Sequence, residues 1–314
     1  MLHDVGEFGL IDRVTSGRRQ PASTLLGPGD DAAVVAAPDG RVVATTDVLV
    51  EGVHFRLDWS GPEDVGRKAA AANLADIAAM GAVPTSLLVA LTCPPDTPVA
   101  LLTALADGLW AEASVAGAGL VGGDVASSPT LTLAVSALGS LEGRLPVTRA
   151  GARPGDVVAL AGRVGWAAAG LAVLQRGFRS PGSLVAAHRV PEPPYRAGPA
   201  AAVAGATAMI DVSDGLLADL GHVAVASGVA IDVRTRALDM PLRMGEAASA
   251  LGVDPLSWLL TGGEDHALAA TFPAHIELPA GWTAIGDARA GDPRVTVDGA
   301  PYEGSPGWDH FAPR

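Results

Sequence analysis

The chain has 314 residues, enough for two domains of ordinary size with a core each. Apolar residues make up 49 % and charged residues 18 %, which excludes a disordered chain, and with aromatics at only 4 % the core has to be built from Ala, Val, Leu and Gly. A formal net charge of -13 argues against nucleic acid or an anionic membrane surface as partner.

The opening residues, MLHDVGEFGL, carry no basic stretch followed by an apolar run, so a helical or irregular lead-in is expected there and no secretory signal. Val42–Asp47 and Val50–Phe55 read as strands. Pro62–Met80 reads as a helix, with Pro near its start and Gly81 just past its end. Thr85–Thr92 is β-rich, Pro98–Ala116 reads as a second helix, and Leu131–Leu138 as another strand. Apolar stretches such as Leu87–Cys93 are too short to span a bilayer. Cys93 stands alone, so no intrachain disulfide can form; a reducing, cytoplasmic location is expected.

Around Glu142–Pro154 the chain turns rich in Gly, Pro and Arg and loses apolar periodicity, and a domain boundary is placed there, between residues 145 and 146. Beyond it, Val164–Gln175, Pro199–Ala206 and Leu216–Ala226 read as helices. Asp156–Ala161, Ala208–Asp211, Val229–Val233 and His266–Thr271 read as strands. The tail from Asp292 is rich in Gly and Pro. Helices and strands mix in both halves without strict βαβ alternation, which predicts two α+β domains and not a doubly wound sheet.

Short acidic clusters, most of them beside glycine or hydroxyl residues, are the most informative feature: Gly27-Pro28-Gly29-Asp30-Asp31, Thr45-Thr46-Asp47, Asn73-Leu74-Ala75-Asp76, Gly122-Gly123-Asp124, Asp211-Val212-Ser213-Asp214-Gly215 and Gly262-Gly263-Glu264-Asp265. Any one of them can be an ordinary N-cap or turn. Together they offer hard oxygen ligands from several separate segments, the donor type that suits magnesium and phosphate. Glycine lets backbone approach a ligand closely, and consecutive amides can cradle an anion. The chain has no EF-hand spacing, no GxxxxGK[ST], no dinucleotide fingerprint after a strand and no protein-kinase signature. The residues alone therefore point to a multi-magnesium phosphate site.

In order along the chain, GPGDDAAV at 27–34, TTDVLVEGVHF at 45–55, KAAAANLADIAAMGAVP at 68–84, GGD at 122–124, VTRAGARPGD at 147–156, DVSDGLLADL at 211–220, GGEDHAL at 262–268 and GWDHF at 307–311 resemble the thiamine-monophosphate kinase family, within the aminoimidazole ribonucleotide synthetase superfamily. EGVHF and GWDHF separate this branch from its sisters, and the reactive Cys or selenocysteine that a selenophosphate synthetase carries near its N-terminus is missing. The resemblance implies an N-terminal domain, residues 1–145, that binds ATP and magnesium and pairs its sheet with a twin in a homodimer. It also implies a C-terminal α/β sandwich, residues 146–314, that completes the active site. The implied reaction uses ATP as co-substrate and thiamine monophosphate as acceptor. A sister enzyme with another acceptor, or a non-catalytic nucleotide-binding protein, are the alternatives.

Residue by residue, the resemblance makes Asp30, Thr45, Thr46, Asp47, Asp76, Asp124, Asp211 and Asp214 the magnesium ligands. Gly123, Asp124, Arg149 and Ser213 become ATP contacts, and His54, Glu264 and Trp308 contacts to thiamine monophosphate. Asp124, Arg149 and Asp214 carry the catalytic role. On the residues alone, His54 reads equally as a packed or surface histidine, Arg149 as a solvated charge and Trp308 as an aromatic anchor for the tail. Members often carry an ATP-contacting tyrosine on the helix before GGD, and this chain has none between Pro98 and Leu120. His266 stands where tyrosine is common and is read as peripheral.

Overall fold

The structure is a computed structural model and describes residues 2–28 and 32–308, with side chains from residue 9 onward. The chain divides into two compact units, residues 1–77 with 82–143, and residues 78–81 with 144–314. The division after Gly143 lies just before the boundary expected at 145/146.

The first unit runs α1 (Leu2–Thr15), β1 (Thr24–Leu26), β2 (Val34–Val35), β3 (Val43–Val50), α2 (Pro62–Ala79), β4 (Val83–Cys93), α3 (Val99–Ala116), β5 (Gly119–Ser127) and β6 (Thr132–Ser140). β1 and β2 form a small ribbon; the other strands form one sheet in the order β3-β6-β4-β5. β6 is antiparallel to both neighbours and β5 runs parallel to β4. Along β6, Leu133, Val135 and Ala137 are buried and alternate with half-buried residues, so one face of the sheet is covered and the other is not.

α2 begins at Pro62, where a missing N–H costs nothing, and Glu63 and Asp64 complement the positive end of its dipole. Alanines make up much of its buried surface, Ala69, Ala70, Ala71 and Ala75 among them, with Val65, Leu74 and Ile77 as the larger apolar side chains. α2 and α3 approach very closely: a Cβ on Gly66 would lie 2.0 Å from the Leu105 carbonyl oxygen, and one on Gly108 2.0 Å from that of Glu63. By length and composition alone α3 could cross a membrane, which the apolar stretches weighed in the sequence did not suggest. Its Leu102, Leu105, Leu109 and Ala113 are buried within the unit, the signature of a core helix.

The second unit holds β7 (Asp156–Ala161), α4 (Trp166–Gln175), α5 (Gly182–Arg189), α6 (Ala197–Ala204), β8 (Ala208–Val212), α7 (Leu216–Ser227), β9 (Ala230–Val233), α8 (Leu242–Leu251), α9 (Pro255–Thr261), β10 (Ala267–Pro273), β11 (Trp282–Arg289), β12 (Arg294–Val297) and β13 (Ala300–Pro301). Its sheet has the order β13-β12-β9-β11-β7-β10-β8. All pairs are antiparallel except β12 with β9. The core beneath it gathers Ala159, Met209, Leu268 and Ala270 around Phe272 and Trp282, whose rings meet edge to face at 5.4 Å. Ala78 and Ala79 at the end of α2 belong to this core.

Several elements differ from the sequence expectation. Val50–Phe55 is not a strand: the Val53 and His54 N–H groups both donate to the Val50 carbonyl, which turns the chain. The GGD run at 122–124 lies inside β5 and not in a turn, because Gly122, Gly123 and Asp124 pair in register with β4. Helices α5, α8 and α9 and strands β11, β12 and β13 were not anticipated. Most are short, and β12 and β13 fall in the Gly- and Pro-rich tail where apolar periodicity is weak.

Candidate active site

In the first unit the predicted residues of β3 are organised by α2. Strand alternation sends Thr45 and Asp47 to the same face. The Thr45 hydroxyl donates to Asp76 Oδ2 at 2.7 Å, and the Asp47 backbone N–H donates to Asn73 Oδ1 at 3.1 Å. β3 is an edge strand, so Asn73 satisfies a donor that no further strand takes up. Asn73 is itself fully buried and anchored through Nδ2 to the Ala69 carbonyl. Asn73 and Asp76 stand three apart on one helix face, which is why both reach β3. Thr46 instead donates to the Val135 carbonyl and accepts from Ser136 Oγ.

His54 sits in the turn after β3. Its Nδ1 accepts from the Val50 N–H at 3.0 Å, so Nε2 carries the ring proton of the neutral form, and the Lys68 ammonium donates to its backbone carbonyl at 3.2 Å. Gly123 and Asp124 occupy the opposite edge of the sheet. The register runs Asp47, Val135, Val89, Gly123 across it. Three strand spacings amount to about 14 Å along the sheet, and Asp124, in register with Ala90 and Ala134, falls on the face away from Asp47. The strands therefore hold two separate polar groups, Thr45–Asp47 with Asp76 at one edge and Gly123–Asp124 at the other.

In the second unit three distant segments meet. The Glu264 N–H donates to the Ser213 carbonyl at 2.8 Å, the His266 N–H to that of Val212 at 3.0 Å, and the Trp308 N–H to that of Asp214 at 2.9 Å. Two glycines make this contact possible: a Cβ on Gly263 would lie 2.3 Å from the Ser213 oxygen, and one on Gly307 2.5 Å from that of Asp214. Asp211, Ser213, Asp214, Glu264 and Trp308 are thereby gathered at the end of β8 and the start of α7. Glu264 and His266 both carry left-handed φ, 67° and 52°, a conformation that surrounding contacts have to enforce. His266, read from sequence as peripheral, is buried and its Nδ1 lies 3.1 Å from Asp211 Oδ2. Arg149 is exposed; its backbone carbonyl accepts from Ser227 Oγ at 2.8 Å, while Thr148 pairs with Met209 alongside β8.

Two further carboxyls shape this region: Asp219, which was not singled out from the sequence, and Asp265, which the sequence placed in the Gly262–Asp265 cluster without a role of its own. Asp219 Oδ2 accepts from the Asp214 and Gly215 N–H groups at 3.0 and 3.1 Å and so pins the turn that opens α7. Burial, reinforced by the negative charge of Asp211 and Asp214, pushes its carboxyl up to about 7. Asp265, between the two left-handed residues, accepts from the Ala167 N–H at the start of α4 at 3.0 Å, and burial pushes it up to about 7 as well. Its second oxygen is buried with no hydrogen-bond partner among the described residues. The usable sequence signal was a carboxylate in the first turn of a predicted helix for Asp219; Asp265 carried none beyond its neighbours.

Asp30, the first predicted metal ligand, lies outside the described residues. Among the described residues no three His, Cys, Asp or Glu side chains surround one point. Magnesium commonly takes only one or two carboxylates, the remaining positions going to water and substrate phosphate. Thr45 with Asp76, and Asp211 with Asp214, are donor sets of that size and of the hard-oxygen type. Asp219 is raised mainly by burial, and Asp211 and Asp214 add negative charge beside it that a cation would relieve. The donor chemistry present fits magnesium.

The model of the AIR synthase related protein, N-terminal domain, matches residues 29–141. The thiamine-monophosphate kinase of Mycobacterium tuberculosis is 54 % identical over 311 residues, 99 % of this chain and 93 % of that protein. The thiamine-monophosphate kinase of Corynebacterium glutamicum is 44 % identical over 320 residues, 98 % of this chain and 94 % of the other. A solved structure, AaThiL complexed with AMPPCP and TMP, superposes with a TM-score of 0.81 at 33 % identity, covering 99 % of both chains. With identity of this level spread over nearly its whole length, the chain belongs to the thiamine-monophosphate kinase family.

Proposed function

We propose that this chain transfers the γ-phosphate of ATP to thiamine monophosphate, giving thiamine diphosphate and ADP. The observation that carries this reading is the 54 % identity with a thiamine-monophosphate kinase over 99 % of the chain. The likeness to AaThiL holding AMPPCP, an analogue of ATP, together with TMP supports the same substrate pair.

Asp30, Thr45, Thr46, Asp47, Asp76, Asp124, Asp211 and Asp214 would hold magnesium at more than one point, since Thr46 and Asp124 lie on the sheet face away from Thr45 and Asp47. When bound, magnesium neutralises phosphate charge and orients the reacting groups. Gly123, Asp124, Arg149 and Ser213 bind ATP, with Arg149 offsetting charge on the transferring phosphoryl group. His54, Glu264 and Trp308 bind thiamine monophosphate; His54 is oriented for this by the bond its Nδ1 accepts from the Val50 N–H. The acceptor oxygen is already anionic near neutral pH, so none of these residues has to act as a strong general base. Transfer is direct and in line, without a phosphoenzyme. Holding donor and acceptor phosphates in register removes much of the entropic barrier. Their repulsion, about 4 kcal/mol for unit charges 4 Å apart at an effective dielectric of 20, is what the cationic groups offset.

The outward face of the β3-β6-β4-β5 sheet exposes Val48 and Leu88 beside the small residues Ala44 and Ala90, and this supports a homodimer joined through that face. The acidic charge and the single buried Cys93 support a cytoplasmic location without nucleic-acid or membrane partners. A coupled ADP-release assay with thiamine monophosphate, an aminoimidazole ribonucleotide precursor or no acceptor tests the function. ADP release that depends on thiamine monophosphate is expected; turnover confined to another acceptor, or ATP binding without turnover, would overturn it.

A further inference from the structure

We propose that His266 is a positioning residue for Asp211, holding that carboxylate in the orientation in which it takes a divalent cation. The inference rests on the magnesium reading of Asp211 given above. His266 Nδ1 and Asp211 Oδ2 are 3.1 Å apart and both side chains are more than nine-tenths buried. An ionised carboxylate only accepts, so Nδ1 carries the proton of this bond. Oδ2 is thereby held, and Oδ1 has no side-chain partner among the described residues.

The backbone around His266 is built for this contact. Its φ of 52° is left-handed, a region that Asn, Asp and His enter several-fold more often than other non-glycine residues. The N–H of His266 is tied to the Val212 carbonyl, one residue from Asp211, so backbone and ring grip the same stretch of β8. On the other side, buried Asp265 accepts from the start of α4 and fixes the turn from within. A histidine that served only to fill space would require neither the left-handed backbone nor a bond to a buried carboxylate of β8. Hydrogen-bonding partners of metal-binding carboxylates set both orientation and basicity, and losing one typically costs about 10- to 100-fold in metal affinity.

The test uses the full-length chain and Mn²⁺ as probe, with affinity read from the free-ion paramagnetic resonance signal. His266→Asn places an amide donor near the position of Nδ1 and tolerates positive φ; it should keep Mn²⁺ affinity within about threefold of the native chain. His266→Gly relieves the backbone and removes the bond; it should lose about 10-fold or more, as His266→Phe should where it folds. Equal Mn²⁺ affinity in the Asn and Gly variants, whatever their melting temperatures, would overturn the inference. A measurement needing no removing variant accompanies this. Magnesium added to the native chain should shift the His266 ring nitrogen resonance, assigned by its loss in His266→Asn, and an unmoved resonance would also overturn the inference. Asp211→Asn separates the two levels of argument. If it leaves Mn²⁺ binding intact, the metal reading of Asp211 fails and this inference with it. If it weakens binding while the Asn and Gly variants stay equal, only the positioning role fails.

Discussion

Asp76 has two neighbours that tie it to the candidate site: the Thr45 hydroxyl at 2.7 Å, and Asn73, which grips the adjacent β3 backbone from the same helix face. Asp76→Asn keeps size and can still accept from Thr45. A loss of turnover on the order of 100-fold, with a melting temperature near that of the native chain, is therefore expected from a metal role. Coupled ADP release alongside a thermal melt checks this, and full activity at limiting magnesium would refute it. Trp308 is half exposed and its backbone N–H is held by the Asp214 carbonyl, which places the indole beside the turn that opens α7. Trp308→Ala should raise KM for thiamine monophosphate about five- to tenfold, the worth of one aromatic contact, and leave KM for ATP nearly unchanged. Equal effects on both would argue against a contact to the thiamine moiety. Asp265 links pH to stability. Its carboxyl is raised from an ordinary 3.8 to about 7 by burial, so between those values the folded chain holds a proton that the unfolded chain has lost. Stability contributed by this group is present below about pH 4, falls as pH rises through that window and is gone above about 7. Urea midpoints at pH 5 and pH 8 in magnesium-free buffer should fall less for Asp265→Asn than for the native chain; identical slopes would refute the assignment.

The glycines of the helices separate two kinds of position. At Gly108 a Cβ would meet the Glu63 carbonyl oxygen at 2.0 Å, and a backbone atom cannot move aside as a side chain can. At Gly221, within α7, a Cβ would meet nothing within 4 Å. Gly108→Ala should destabilise by about 1–3 kcal/mol through overpacking, in spite of alanine's better helix propensity. Gly221→Ala should stabilise by up to about 1 kcal/mol. Chemical denaturation of both variants checks the pair, and matching signs would show that the α2–α3 crossing is looser than described. The same crossing explains why so apolar a helix as α3 sits inside the first unit: it presents leucines to the core and a glycine to its neighbour.

At the scale of the molecule, the second unit is not a contiguous stretch of chain. Residues 78–81 count with it, and Ala78 and Ala79 pack in the core around Phe272 and Trp282. Gly198 approaches the Ala78 carbonyl so closely that a Cβ there would lie 1.9 Å from the oxygen. A fragment of residues 144–314 should therefore melt well below the corresponding transition of the full chain, because it lacks part of its own core. Calorimetry on both checks this, and an unchanged transition would mean that the end of α2 is dispensable.

The long helices and the strands with strong β-branched or apolar runs are legible in the sequence. Pro62 and Gly81 bracket α2, and Thr85–Thr92 lies within β4, because local periodicity and backbone preference are properties of the chain itself. The acidic segments and the family they resemble were equally legible, since they are contiguous in sequence. Which segments meet was not. That GGD would be strand and not turn depends on pairing with β4, and that Trp308 would touch Asp214 depends on a contact across nearly a hundred residues. The packing of His266 against Asp211 is of the same kind: a left-handed residue and a buried carboxylate become partners only when β8 and the turn before β10 are laid side by side. Propensity and motif act over a few residues, whereas hydrogen bonding and burial join residues that only the folded backbone brings within 3 Å of each other.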